Sequence, residues 1–280
     1  MIIKLFSRSW FLMLLFVLLP NTLVISQTKE SSSQNIFQTI GSDFQIAFMD
    51  GYHLLVSPAK FSTNDWLTLG GVTVSTAAFM PFDEDLRIYA KKNSSDFNDN
   101  IMNVGKAYGS GFSPVIIGGG IYSYGLFFKN ESVRTTGRMV LESVVYAGMI
   151  TTILKSLIGR SRPYTNEGAN FYQPIQFNTA HTSLPSGHST VAFAISSVLS
   201  NRIHNTYASI GLYSLAALTS VSRVYHDDHW ASDVILGSAI GYFVGTFISN
   251  NSGTLYLNKE KKITLKLKPS LNGLYCNLSF

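Results

Sequence analysis

The sequence predicts an all-α protein, a bundle of six helices followed by a β-hairpin at the C-terminal end. Three observations carry that expectation. Charged residues make up only 13% of the 280-residue chain and apolar ones 46%, about half the charge of an average soluble protein. Beyond Asp65, apolar segments alternate with polar loops, over residues 66–82, 112–128, 139–158, 188–200, 207–222 and 233–249, each with the length and texture of a helix. The last stretch, "KITLKLKPSLNGLYCNLSF", changes period. Ile263, Leu265 and Leu267 alternate with polar residues, and Leu274, Cys276, Leu278 and Phe280 share one face beyond the Asn272-Gly273 turn signal.

Taken in order, residues 1–26 read as an export signal. Lys4 and Arg8 precede the apolar run "WFLMLLFVLL", and "VIS" before Gln27 offers smallish residues for cleavage; retention as an uncleaved anchor is the alternative. Residues 27–65 form an N-terminal arm. Within it "TKESSSQN" has the composition of a solvated segment, and "IFQTIGSDFQIAFMDGYHLL" is weakly periodic, as an amphipathic helix on a surface would be. The six apolar segments make one helical domain over 66–250. Their lengths straddle the roughly 20 residues that cross a bilayer, so short spans and buried core helices read alike. Small residues recur in them ("LGGVTVSTAA", "IIGGGIYSYG", "LGSAIGYFVG"), as close helix contact requires. The triple glycine 118–120 lacks the Gly-Lys-Ser/Thr of a nucleotide loop. Glu142, costly against lipid, is expected to face the bundle interior or to lie near a helix end. The tail, 254–280, needs a partner, because a lone hairpin is marginal in water. A single cysteine, Cys276, excludes an internal disulfide. The net charge of +5 is scattered along the chain and leaves no nucleic-acid footprint.

Three polar stretches carry the chemistry. "KSLIGRSRP" places Lys155, Arg160 and Arg162 at the end of an apolar helix, where the macrodipole favours cations. "PSGH" starts the fourth segment with Ser186, Gly187 and His188. A serine there is an ordinary cap, yet free backbone N–H groups beside a hydroxyl also suit an anion. "SRVYHDDHWASD" concentrates Arg223, His226, Asp227, Asp228, His229 and Asp233. His229 and Asp233 are spaced i to i+4, so the carboxylate can fix the imidazole tautomer and prepare a nucleophile or base. Arg223 offers a planar fork suited to phosphate oxygens. His226 and His229 have a metal-ligand spacing without an obvious third ligand, which weakens a metal site; no cofactor is expected. Asp227 and Asp228 read as a solvated loop, and Arg160 and His181 as residues of the site mouth or of the solvent face. Trp230 reads as an interface or packing residue.

In order and together, these three stretches resemble the signature of the type 2 phosphatidic acid phosphatase (PAP2) and vanadium haloperoxidase superfamily. The resemblance implies a PAP2-type helical bundle and a metal-independent phosphatase. Lys155, Arg162, Ser186, Gly187 and Arg223 would hold the phosphoryl oxygens. His229 would attack phosphorus and form a phosphohistidine, with Asp233 orienting it, while His188 would protonate the leaving oxygen and later activate water. The expected substrates are phosphomonoesters or pyrophosphates, chiefly of lipids such as phosphatidic acid, polyprenyl pyrophosphate or lipid A phosphate, because the catalytic loops adjoin apolar helices.

Three alternatives stay open on sequence: a soluble periplasmic acid phosphatase, a vanadate-dependent haloperoxidase, and a non-catalytic envelope scaffold. The expected location is the cell envelope, membrane-associated with the site facing the periplasm. Helix parity strains that expectation. An exported N-terminus followed by three crossings would leave the motif loops in the cytoplasm, so one of the first three segments does not cross or the bundle lies wholly in the periplasm.

Overall fold

The computed structural model describes residues 35–252, together with the backbone of 264–270 and 273–279. The export signal expected over 1–26 lies outside the described residues. The expectation of an all-α bundle holds. The helices are α1 (Ile36–Val56), α2 (Thr63–Phe79), α3 (Asp83–Lys92), α4 (Asp96–Tyr108), α5 (Ser113–Phe127), α6 (Glu131–Ile158), α7 (Gly187–Ile203), α8 (Thr206–Tyr225) and α9 (Ala231–Asn251). The six apolar segments correspond to α2 and α5–α9, and the amphipathic stretch of the N-terminal arm is α1.

Two differences have local causes. Residues 83–111, expected as a loop, fold as α3 and α4. Asp83, Glu84 and Asp85 open α3 and Lys91 and Lys92 close it, matching the macrodipole at both ends, while Ser95 caps α4 through the Asn98 backbone N–H. Helix α6 begins eight residues before the apolar segment, at an Asn130 cap that accepts from Val133 N. The expected β-hairpin is not supported as part of this architecture. Segments Thr264–Ser270 and Gly273–Ser279 are paired antiparallel, Leu267 opposite Cys276, and the fold class rests on the helices.

Helix α7 sits at the centre, packed by α6, α8 and α9. Close approach is set by missing side chains. A Cβ on Gly241 would meet the Thr190 carbonyl at 2.2 Å, and one on Gly245 the Ala194 carbonyl at 2.7 Å. The core mixes Val140, Ala192, Ile195, Val198 and Ile248 with polar pairs satisfied across helices. Tyr108 meets Ser196 at 2.8 Å and Thr151 meets Thr190 at 3.0 Å, as buried polar groups require.

The outside is more apolar than the inside in places. On α1, Phe37, Phe44 and Leu55 are 77%, 73% and 78% exposed while Asp43 and Asp50 are 5% and 4%. Asp43 pairs with Arg134 at 2.9 Å, and Asp50 meets Arg138 at 3.3 Å and the Ser252 hydroxyl. Glu142 faces inward as expected, 3.0 Å from Arg138. Helices α6 and α9 are long and apolar enough to cross a membrane.

Candidate active site

Four chain segments meet at the end of the bundle where α6 stops and α7 and α9 start. Helix α6 ends on Gly159, whose φ of 66° is left-handed and whose absent side chain leaves room for the Gln173 carbonyl, 1.6 Å from where a Cβ would be. Only glycine meets both demands. The chain therefore turns sharply after Lys155, and Arg160 and Arg162 leave along a different direction.

The Lys155 ammonium donates to the carbonyls of Thr182 and Ser183 at 2.6 and 3.1 Å. Its stem lies over Gly187, with Cε 3.8 Å from where a Cβ would stand. Ser186, at the N-cap of α7, makes no side-chain cap bond; its backbone N–H donates to the Asp233 carbonyl at 2.9 Å. That bond joins the "PSGH" stretch to the "SRVYHDDHWASD" stretch. Gly237 tightens the same contact, since a Cβ there would fall 2.3 Å from the Ser186 carbonyl. His188, in the first turn of α7, stands in the field of Arg223, Lys106, Arg162 and Lys155.

His229 is buried and precedes α9, so the i to i+4 relation with Asp233 arises from the N-terminal turn, not from stacking along a helix. The Asp233 carboxylate accepts the Trp230 backbone N–H at 2.9 Å and lies 3.5 Å from His229 Nδ1. Ser183 stands between them. Its hydroxyl donates to Asp233 Oδ2 and is 3.3 Å from His229 Nδ1. Because the hydroxyl proton goes to the carboxylate, the serine oxygen is left to accept from an Nδ1–H, which leaves the Nε2 lone pair free. Burial, aided by the Lys155 and Arg162 charges and only partly opposed by Asp233, holds the His229 pKa well below the ordinary imidazole value. The ring is therefore neutral, the form a nucleophile needs.

All eight residues singled out from sequence, Lys155, Arg162, Ser186, Gly187, His188, Arg223, His229 and Asp233, belong to this one cluster. Among the described residues, several guanidinium donors in it have no hydrogen-bond partner. Arg162 Nε and Arg223 Nε and Nη1 are buried and unbonded, and Arg223 Nη2 meets Asp228 at 2.5 Å. Unpaired buried donors are costly unless something else satisfies them, and an anion with several oxygens would.

Two expectations are corrected. Arg160 does not line the mouth; it is fully buried, bonded to Asp83 at 2.7 Å and Asp233 at 2.8 Å. Asp227 and Asp228 are paired, Asp227 with Arg87 at 2.6 Å and Lys91 at 2.8 Å, and Asp228 with Arg223. Trp230 takes the packing role of the two expected for it, buried with its indole donating to the Ser161 carbonyl at 2.8 Å. His181 is bonded to Glu167 at 2.9 Å. Sequence reasoning missed Ser183 and Asp83 outright. Ser183 lies three residues before Ser186 and had no signal of its own.

Residues 137–256 match the model of the PAP2 superfamily. That segment of the chain, which holds all three polar stretches, is PAP2-like. Among its relatives, a lipid A 1-phosphatase from Porphyromonas gingivalis is 26% identical over 81% of this chain and 47% of its own length. A lipid A 1-phosphatase from Rhizobium etli is 32% identical over 39% of this chain and 47% of its own. The chain spans about half the length of the curated relatives it matches. A transmembrane PAP2-type phosphatidylglycerolphosphate phosphatase from Bacillus subtilis aligns over 79% of this chain and 98% of its own, at 21% identity and a TM-score of 0.49.

Proposed function

We propose that this PAP2-like protein is a metal-independent phosphatase that removes a phosphate from a lipid, working through a covalent phosphohistidine at His229. The observation that carries the reading is the set of buried, unbonded donors on Arg162 and Arg223, gathered with Lys155 around a neutral histidine. Three cations and the N-terminal N–H groups of α7 suit the equatorial oxygens of a phosphoryl group, and charge stabilisation of that kind is most of what phosphoryl transfer asks of a protein. The His229 Nε2 lone pair attacks phosphorus as the bond to the ester oxygen breaks, and His188 delivers a proton to that oxygen. Asp233 and Ser183 hold Nδ1–H and stabilise the positive ring. Water, losing a proton to His188, then attacks phosphorus, freeing inorganic phosphate and His229.

A lipid substrate is favoured by exposed apolar side chains on the helices that carry the site, such as Ile153 and Leu157 on α6 and Val221 on α8, and by the relatives named as lipid A phosphatases. Export and a site facing the periplasm belong to the same proposal. Protein purified in detergent should release phosphate, in the presence of chelator, from lipid A or a phosphatidic acid faster than from a soluble aryl phosphate. His229→Ala should abolish turnover, and vanadate should inhibit. Wild-type protein inert on all of these esters, or a His229→Ala variant with normal turnover, would remove the proposal.

A further inference from the structure

The geometry points to Asp83 and Arg160 as positioning residues for the nucleophile, forming with Asp233 a buried chain of alternating charge, Asp233, Arg160, Asp83, behind the neutral His229. It rests on the phosphatase reading above. Arg160 and Asp83 are each 0% exposed, so neither charge is relieved by solvent. The guanidinium divides its donors with no overlap. Nη1 reaches Asp233 Oδ1 at 2.8 Å and the Ser232 hydroxyl at 2.7 Å, Nη2 reaches Asp83 Oδ2 at 2.7 Å, and Nε reaches the Ala169 carbonyl at 2.9 Å. Asp83 is itself fully engaged. Its Oδ1 accepts the Ser232 backbone N–H at 2.9 Å and its Oδ2 the Ser232 hydroxyl at 2.6 Å. Tyr172 and Trp230 flank the guanidinium, with ring centroids 5.8 and 5.6 Å from Cζ.

The arrangement does two things. It fixes Asp233 by both oxygens, Oδ1 on Arg160 and Oδ2 on Trp230 N and Ser183, so the imidazole it orients has a rigid reference. It also sets how much negative charge Asp233 keeps. Arg160 alone would draw the carboxylate's charge to itself and away from the phosphorylated ring; Asp83, on the far side, shares the guanidinium and leaves Asp233 a better acceptor for Nδ1–H. Such outer partners usually matter nearly as much as the residues they hold. Asp83 also lies outside residues 137–256, the span matched by the superfamily model, so this chain closes its site with a group from its own N-terminal half.

The test compares wild type, Asp83→Asn and Asp83→Glu in detergent micelles, measuring kcat and KM on a lipid monophosphate and inhibition by orthophosphate. In Asp83→Asn, kcat should fall roughly 10- to 100-fold while KM and the orthophosphate inhibition constant stay within about threefold, and Asp83→Glu should recover part of kcat. If Asp83→Asn fails to fold, as judged by helical circular dichroism, Ser232→Ala, which deletes the hydroxyl shared by Arg160 and Asp83, is read by the same criteria. An unchanged kcat, or kcat, KM and orthophosphate binding worsening together as for a merely structural residue, overturns the inference. A wild type that releases no phosphate sinks the phosphatase reading and the inference with it. An active wild type with an indifferent Asp83→Asn sinks only the inference.

Discussion

A histidine enclosed beside Lys155 and Arg162 gives up its proton more easily in the folded protein than in the unfolded chain, so His229 ties stability to pH. Above about pH 6.5, the ordinary imidazole value, both states hold the ring neutral and no proton separates them. Below it the unfolded chain takes up a proton that the folded site refuses, and stability falls with pH until the lowered folded value is reached. Thermal melts in detergent should show Tm falling from roughly pH 6.5 downward, with a shallower fall in His229→Gln; equal slopes would mean that another group titrates. The residues of the three stretches were legible because each brings its own chemistry and sits within a few positions of the others in its stretch. Arg160 was seen and misplaced, since a sequence shows a charge but not the two carboxylates that permit its burial. One of those, Asp83, comes from a different helix and carries no local mark of its role.

Helix α9 owes its place to a stripe of glycines, Gly237, Gly241 and Gly245, one turn apart against α7 and the loop before it. Small residues at that spacing allow backbones to touch. Gly237→Ala should push Ser186 away from Asp233 and cost activity out of proportion to stability, whereas Gly211→Ala on α8, with nothing within 4 Å of the new methyl, should keep activity and be neutral or stabilising by up to about 1 kcal/mol. Parallel assays and melts decide it, and equal activity losses would contradict the packing account. The apolar helices were readable because their pattern is internal to each segment. Helices α3 and α4 were not, for they are short and polar and are held by caps and by partners such as Arg87 with Asp227 and Tyr225 with Asp99. The first turns of α6 were missed for a related reason: Arg134 and Arg138 look like loop residues until Asp43 and Asp50 arrive from α1.

At the scale of the molecule, α1 is turned inside out relative to a water-soluble helix, with carboxylates inward and phenylalanines outward. An apolar solvent favours that arrangement, since ion pairs must then be buried among helices. The protein should therefore stay with the membrane pellet through alkaline carbonate extraction and need detergent for release; recovery in the supernatant would contradict it. Fold class was legible from composition and period, whereas the number of crossings was not, because short spans and core helices share the same texture. The link from Asp83 to Arg160 has a practical consequence for anyone shortening the chain. A fragment cut at the start of the superfamily match would keep every signature residue and still leave Arg160 sealed in with one carboxylate where it now has two, and it should release less phosphate than a fragment that begins upstream of Asp83.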